Sequence, residues 1–210
     1  APGLRDVLLT GKTGEQVRKR DKSNRFEWDA VVMDAPPTGR ITRFLNVNTE
    51  VGSLTRVGPI KNQADSVMRV IRSPETVVHM VTLLEEMPVQ ETLDGIRDLR
   101  AAGLNVGSVF VNMLRAEVLA EGAVESDDPV PVKEIREGLA AAGIPDRQRA
   151  LVSALHTEAL DHGIRVRLQR REYERLTDSE RSLIELPALP AMDLGALYDL
   201  AGAITEQAPR

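Results

Sequence analysis

The 210-residue chain predicts an α/β fold, a mostly parallel sheet flanked by helices, on three observations. Residues 28–33, 76–84, 106–111 and 182–186 are short, mostly apolar runs rich in β-branched residues, the composition of strands buried on both faces. Between them lie longer stretches whose apolar residues recur at helical spacing. Three of the runs are followed by a polar residue, Asp34, Glu85 and Asn112, and in open α/β sheets ligands bind in the crevice beyond the carboxyl ends of the strands. The length suits one α/β domain with a full core, with a helical insertion at about 46–75 and a helical region at about 131–178.

Taken in order, Ala1-Pro2-Gly3 opens directly onto a helical pattern with Leu4, Val7, Leu8 and Val17 apolar, and the chain reads as cut at this end. Gly11-Lys12-Thr13 imitates the end of a phosphate loop. Such a loop also needs a glycine five residues earlier, where Asp6 stands, so the triplet reads as a helix end or turn. Residues 19–25 form a charged linker. Residues 28–33, WDAVVM, then make a buried parallel strand with Asp34 at its carboxyl end. Ala35-Pro36-Pro37-Thr38-Gly39 can hold a tight loop that turns a hydroxyl and backbone N–H groups toward an anion, and Arg40 to Leu45 opens a helix. An acid able to hold a metal through water, followed by a phosphate-contacting Thr-Gly, suits a nucleotide switch.

Gly52, Gly58 and Pro59 interrupt the next stretch, and residues 62–71 form a helix packed on the sheet through Val67, Met68, Val70 and Ile71. The strand at 76–84 ends in Glu85 and Glu86, which are either metal or interface acids or complements to the dipole of the following helix, where Val89, Leu93, Ile96 and Leu99 repeat until Gly103. His79 is expected as a hydrogen-bonded core residue. After the strand at 106–111, Asn112 stands at the strand end, where its side chain can cap its own turn. Residues 117–131 read as a mobile acidic loop, 132–142 as a helix, and 145–176 as a long charged helix weakened at Gly163. Arg165, Arg167, Arg170 and Arg171, followed by Glu172 and Glu174, suggest a solvated face. His156 and His162 stand six apart, which is poor for a shared zinc on one helix face. A strand at 182–186, a rigid loop Pro187-Ala188-Leu189-Pro190 and a helix at 194–204 close the chain.

Lys+Arg 27 against Asp+Glu 32 gives a formal charge of −5, which argues against a nucleic-acid surface. No apolar run approaches the roughly 20 residues that span a bilayer. Cysteine is absent, and the chain is expected to be cytoplasmic, with peripheral membrane association open.

Residues 34–45, DAPPTGRITRFL, resemble the second switch segment of the arsenite-pump and tail-anchored-protein-targeting (anion-transporting) ATPases, which usually reads D-T-A-P-T-G-H-T-L-R-x-L. Ala35 and Pro36 displace the usual Thr-Ala, and Arg40 replaces a histidine. The resemblance continues in Glu91-Thr92, Val111-Asn112 and the Leu-Pro-x-Leu-Pro before the last helix. It implies the carboxyl-terminal portion of a deviant Walker A phosphate-loop NTPase that binds and hydrolyses ATP with Mg²⁺. By resemblance, Asp34 holds Mg²⁺ through water and Thr38 and Gly39 sense the terminal phosphate. Asn112 with Pro187, Leu189 and Pro190 seats adenine. The family's phosphate-loop lysine is not among these residues, so the 210 residues alone are expected to turn ATP over poorly.

The resemblance also implies a homodimer, or a heterodimer with a related ATPase subunit. With no cysteine, neither thiolate capture of arsenite nor a Cys-x-x-Cys zinc site at a dimer interface can be built. The expectation is an ATP-driven switch that handles a protein client or a membrane partner. The alternative is a non-catalytic nucleotide-binding subunit that regulates an active paralogue. Septum-positioning and partitioning ATPases fit the Pro-Thr-Gly switch and the proline loop less well.

Overall fold

The computed structural model describes residues 4–37, 40–41, 44, 59–120, 122–144 and 149–208. The elements run α1 (Leu4–Arg18), α2 (Pro59–Ile71), β1 (Val78–Thr82), α3 (Glu86–Ala101), β2 (Val106–Leu114), a 3-10 turn (Ala123–Glu125), α4 (Val132–Ala141), α5 (Arg149–Thr177), β3 (Leu183–Pro187) and α6 (Leu194–Gln207). The strands form a three-stranded parallel sheet in the order β1-β2-β3, flanked by helices, so the expected α/β class holds. Val109 pairs with Leu183 and Val111 with Glu185. A parallel pair needs a long crossover, and α4 and α5 supply it. Val109, Val111, Ile184 and Leu186 are buried, as near-continuous apolar strands require.

Contacts divide the chain into two compact units, Ala1–Met80 with Gln90–Ser108, and Val81–Val89 with Val109–Arg210. In the first, α1 packs on α2, which buries Ala64, Val67, Met68 and Ile71. The sequence placed this second helix on the sheet, whereas its main partner is α1. Gly14 lies at this contact, where a Cβ would meet Val67 at 3.5 Å, an ordinary van der Waals distance. The linker at 19–25 is an ordered turn. The Asp21 carboxylate accepts the Ser23 and Arg25 N–H groups at 2.8 and 3.0 Å, Arg20 and Phe26 form an antiparallel bridge, and the Arg20 guanidinium lies over the Phe26 ring.

Residues 28–33 do not form the expected strand. They run beside α1 without regular structure, where the Trp28 indole N–H donates to Gln16 Oε1 at 3.1 Å and Met33 Sδ lies 3.3 Å from the Thr13 hydroxyl. Val32 is 94% exposed. A β-branched run becomes a strand only where a neighbouring strand takes up its N–H and C=O groups, and none of the described strands does so here.

Also in the first unit, Val78 N–H donates to the Asn105 carbonyl at 2.8 Å, and His79 Nδ1 accepts the Ser108 N–H at 3.1 Å. His79 is therefore hydrogen-bonded as expected, but it sits on the exposed face of β1 rather than in the core. Its ring lies over Gly107, where an added Cβ would come within 2.6 Å of Cε1.

In the second unit, α5 is continuous through Gly163, and the missing side chain admits Pro129, 3.4 Å from the position of a Cβ. Helix α6 packs on β3. It is capped by Asp193, which accepts the Ala196 N–H at 2.9 Å. Near its other end the Gln207 amide clamps the Glu185 backbone at 2.8 and 2.9 Å. No helix among the described residues is long and apolar enough to cross a membrane.

Candidate functional site: the carboxyl rim of β2 and β3

Strand β2 ends irregularly. Its pairing with β3 slips between Val111 and Leu114, and Met113 adopts a left-handed φ of 56°. For a non-glycine residue that conformation costs about 1–2 kcal/mol, so the surroundings must hold it. Asn112 Oδ1 accepts the Met113 N–H at 3.0 Å, the local bond weighed as the alternative role for this residue. The bond uses one lone pair of the amide oxygen. Another lone pair and the Nδ2 hydrogens remain, enough to accept from and donate to a base edge.

The loop after β3 meets this bulge. Leu114 pairs with Pro187, and the Ala188 N–H donates to the Leu114 carbonyl at 2.8 Å. Pro187 and Pro190 are exposed and Leu189 is half-buried. Of the predicted site residues, Asn112, Pro187, Leu189 and Pro190 are thus gathered at the carboxyl ends of neighbouring strands.

Helix α5 fastens the segment that leaves this rim. The Arg115 N–H donates to Gln169 Oε1 at 3.1 Å, and Gln169 Nε2 donates to the Arg115 carbonyl at 3.4 Å. Arg170 grips both carboxylate oxygens of Glu117, at 2.9 and 2.5 Å, and reaches Glu125 at 2.9 Å. Arg167 donates to the carbonyls of Val124 and Ser126, and His156 meets Asp128 at 3.0 Å. The hydrogen bond from Arg170, reinforced by its charge, holds the Glu117 carboxyl below its ordinary range, and the same pair raises Arg170. Neighbouring on α5, the Tyr173 phenol is pushed up to about 12, first by burial and then by its hydrogen bond to Glu185 of β3.

Two expectations are corrected here. The arginines of α5 do not form a uniformly solvated face, because Arg167 and Arg170 clasp the stretch after β2. The acidic loop is consequently fastened rather than free. Glu172, read as part of the solvated surface, is fully buried and held between Arg171 and Arg175 at 2.9 and 2.5 Å.

The switch segment looks different. Asp34 is exposed and stands in the unpaired stretch, not at the end of a strand. Thr38 and Gly39 lie outside the described residues. Beyond them the Arg40 N–H donates to the Pro37 carbonyl at 2.9 Å, and Ile41 and Phe44 are helical and buried. Gly11-Lys12-Thr13 lies inside α1 and not at a helix end, with Lys12 paired to Glu15 at 3.0 Å and the Thr13 hydroxyl donating to the Leu9 carbonyl at 3.0 Å. Glu86 opens α3, where its charge complements the helix dipole. Among the described residues no group of three or more His, Cys, Asp or Glu could hold a metal. A lone aspartate still suits Mg²⁺, which is commonly bound by one or two carboxylates together with substrate phosphates and water. Asp34 belongs to the first unit and Asn112 to the second.

No family model matches the chain. Over an alignment of 218 positions that includes all of this chain, it is 41% identical to ATPase BagA of Mycobacterium tuberculosis H37Rv. It is 41% identical, over the same length, to a protein of Mycobacterium bovis whose name provisionally describes it as an ATPase. The chain spans 62% of the length of each of these relatives.

Proposed function

We propose that this chain is part of an ATP-binding and hydrolysing conformational switch of the anion-transporting and targeting ATPase kind. The observation that carries the reading is that the end of β2, two residues beyond Asn112, meets the 187–190 loop through Leu114 at the carboxyl rim of β2 and β3, the place where open α/β sheets bind ligands. The names of the relatives, at 41% identity, support ATP as the nucleotide. In this reading the Asn112 amide reads the base edge, and Pro187, Leu189 and Pro190 present a stiff, largely apolar wall to adenine. Asp34 holds Mg²⁺ through water, and Thr38 and Gly39 contact the terminal phosphate. Bound Mg²⁺ would neutralise charge on the phosphates. The switch works as a homodimer or with a related subunit, on a protein client or membrane partner.

The test is nucleotide binding by the full chain, comparing ATP with ADP, with and without Mg²⁺. Asp34→Asn is expected to erase the Mg²⁺ dependence while leaving metal-free binding in place. An unchanged dependence removes Asp34 from the site. The second reading is a non-catalytic nucleotide-binding subunit that regulates an active paralogue. Poor ATP turnover by the 210 residues alone is common to both readings. Turnover by a form that also carries a phosphate loop favours the enzyme, and binding without turnover favours the partner.

A further inference from the structure

We infer that Gln169 and Arg170 of α5 are positioning residues for the Asn112 amide, setting base selectivity from outside the pocket. The inference rests on the reading of Asn112 as the adenine-recognising group. It starts from the bulge. Met113 holds a left-handed backbone that a β-strand would not select, and its N–H is tied to the Asn112 side chain. The direction of that amide therefore follows the path of residues 113–115. On one side the path is fixed by β3, through the bond from Ala188 to the Leu114 carbonyl. On the other it is fixed by α5. Gln169 takes both backbone groups of Arg115, and one residue along the helix Arg170 takes the Glu117 carboxylate with two of its nitrogens and Glu125 with the third.

A bidentate arginine and a backbone-chelating amide are stiffer than single contacts, because each fixes orientation as well as distance. With both in place the Asn112 amide is presented in one direction. Without them the segment can relax out of the left-handed bulge and the amide turns with it.

The experiment uses the full chain and two readouts. The first is hydrogen exchange at the Met113 and Arg115 amides without nucleotide. The second is the ratio of ATP to GTP affinity. Gln169→Ala is expected to raise exchange at both amides on the order of tenfold, and to narrow the ATP preference by about fivefold to tenfold. Gln169→Glu keeps an acceptor for the Arg115 N–H but loses the donor to its carbonyl, and falls between. Glu117→Gln removes charge from the segment rather than the helix, and provides a variant that leaves α5 untouched. Unchanged exchange in all three overturns the clamp. Raised exchange with an unaltered ATP preference reduces Gln169 and Arg170 to struts and overturns their positioning role. A wild-type chain that binds ATP without preferring it to GTP overturns the adenine reading and this inference with it, an outcome distinguishable because the exchange measurement involves no nucleotide.

Discussion

The stretch at 28–37 and the rim of β2 and β3 carry the same kind of sequence signal and take opposite structural states. Each is a short β-branched run followed by a polar residue, Asp34 in one case and Asn112 in the other. At the rim, neighbouring strands, a proline loop and a helix satisfy the backbone and fix the polar group. Beside α1 the run is held by two side-chain contacts, and Val32 faces solvent. An apolar run states a tendency to extend, and whether it becomes a buried strand depends on what lies alongside. A polar group that must act with defined geometry needs the second condition as well as the first.

The largest expected effect separates the two directly. Ile184 of β3 is 2% exposed, and Ile184→Ala should cost about 2–5 kcal/mol of unfolding free energy by chemical denaturation. Val32→Ala should change stability by less than about 0.5 kcal/mol, since an exposed side chain away from any special contact contributes little. A cost for Val32→Ala approaching that of Ile184→Ala would mean that the stretch is paired and buried in solution, and the contrast would collapse.

This difference marks where the sequence was legible. The β2 and β3 strands and the helix of α6 follow from local pattern, since continuous apolar runs and helical spacing need no knowledge of distant residues. The failures are non-local. Arg170 looked solvated because its sequence neighbours include Glu172 and Glu174, yet its partners Glu117 and Glu125 lie 53 and 45 residues away. Gln169 carried no signal, because its role is to bond the backbone of a residue 54 positions earlier. Glu172 was misread for a related reason: an acid with Arg171 beside it and Arg175 one turn on can be buried as a neutralised group, although its sequence suggests surface. Asn112, expected just after the strand, lies inside β2 two residues before its end at Leu114, where the register slips and its side chain takes the Met113 N–H. The bulge that redirects it could not be read from residues lacking a glycine.

A smaller effect sharpens the comparison on the α1 side. Gly11 belongs to the triplet that imitates a phosphate loop, but it lies within α1 with nothing within 4 Å of a built Cβ. A helical glycine with free space is replaced favourably by alanine. Gly11→Ala should therefore stabilise the chain by about 0.5–1 kcal/mol and leave nucleotide affinity unchanged. Loss of nucleotide binding in that variant, measured alongside its denaturation curve, would return a ligand role to the α1 region.

The smallest effect concerns the segment after β2. The Arg170 hydrogen bond and charge depress the Glu117 carboxyl, with His162 adding a minor attraction. A depressed acid contributes stability above its unfolded value, about 4.3 for glutamate, and loses that contribution as the pH falls through the lower folded value. Both groups are exposed to solvent, so screening keeps the effect on global unfolding small, and local protection is the better observable. Hydrogen exchange corrected for intrinsic rate should show residues 115–120 and 122–128 opening as the pH drops below the ordinary glutamate range, while the Ile184 amide stays closed. Glu117→Gln should remove the larger part of that dependence. If the variant kept the full acid response, the segment would be held by its backbone bonds to Gln169 and Arg167 alone, and the charged half of the α5 clasp would have no role in setting the rim.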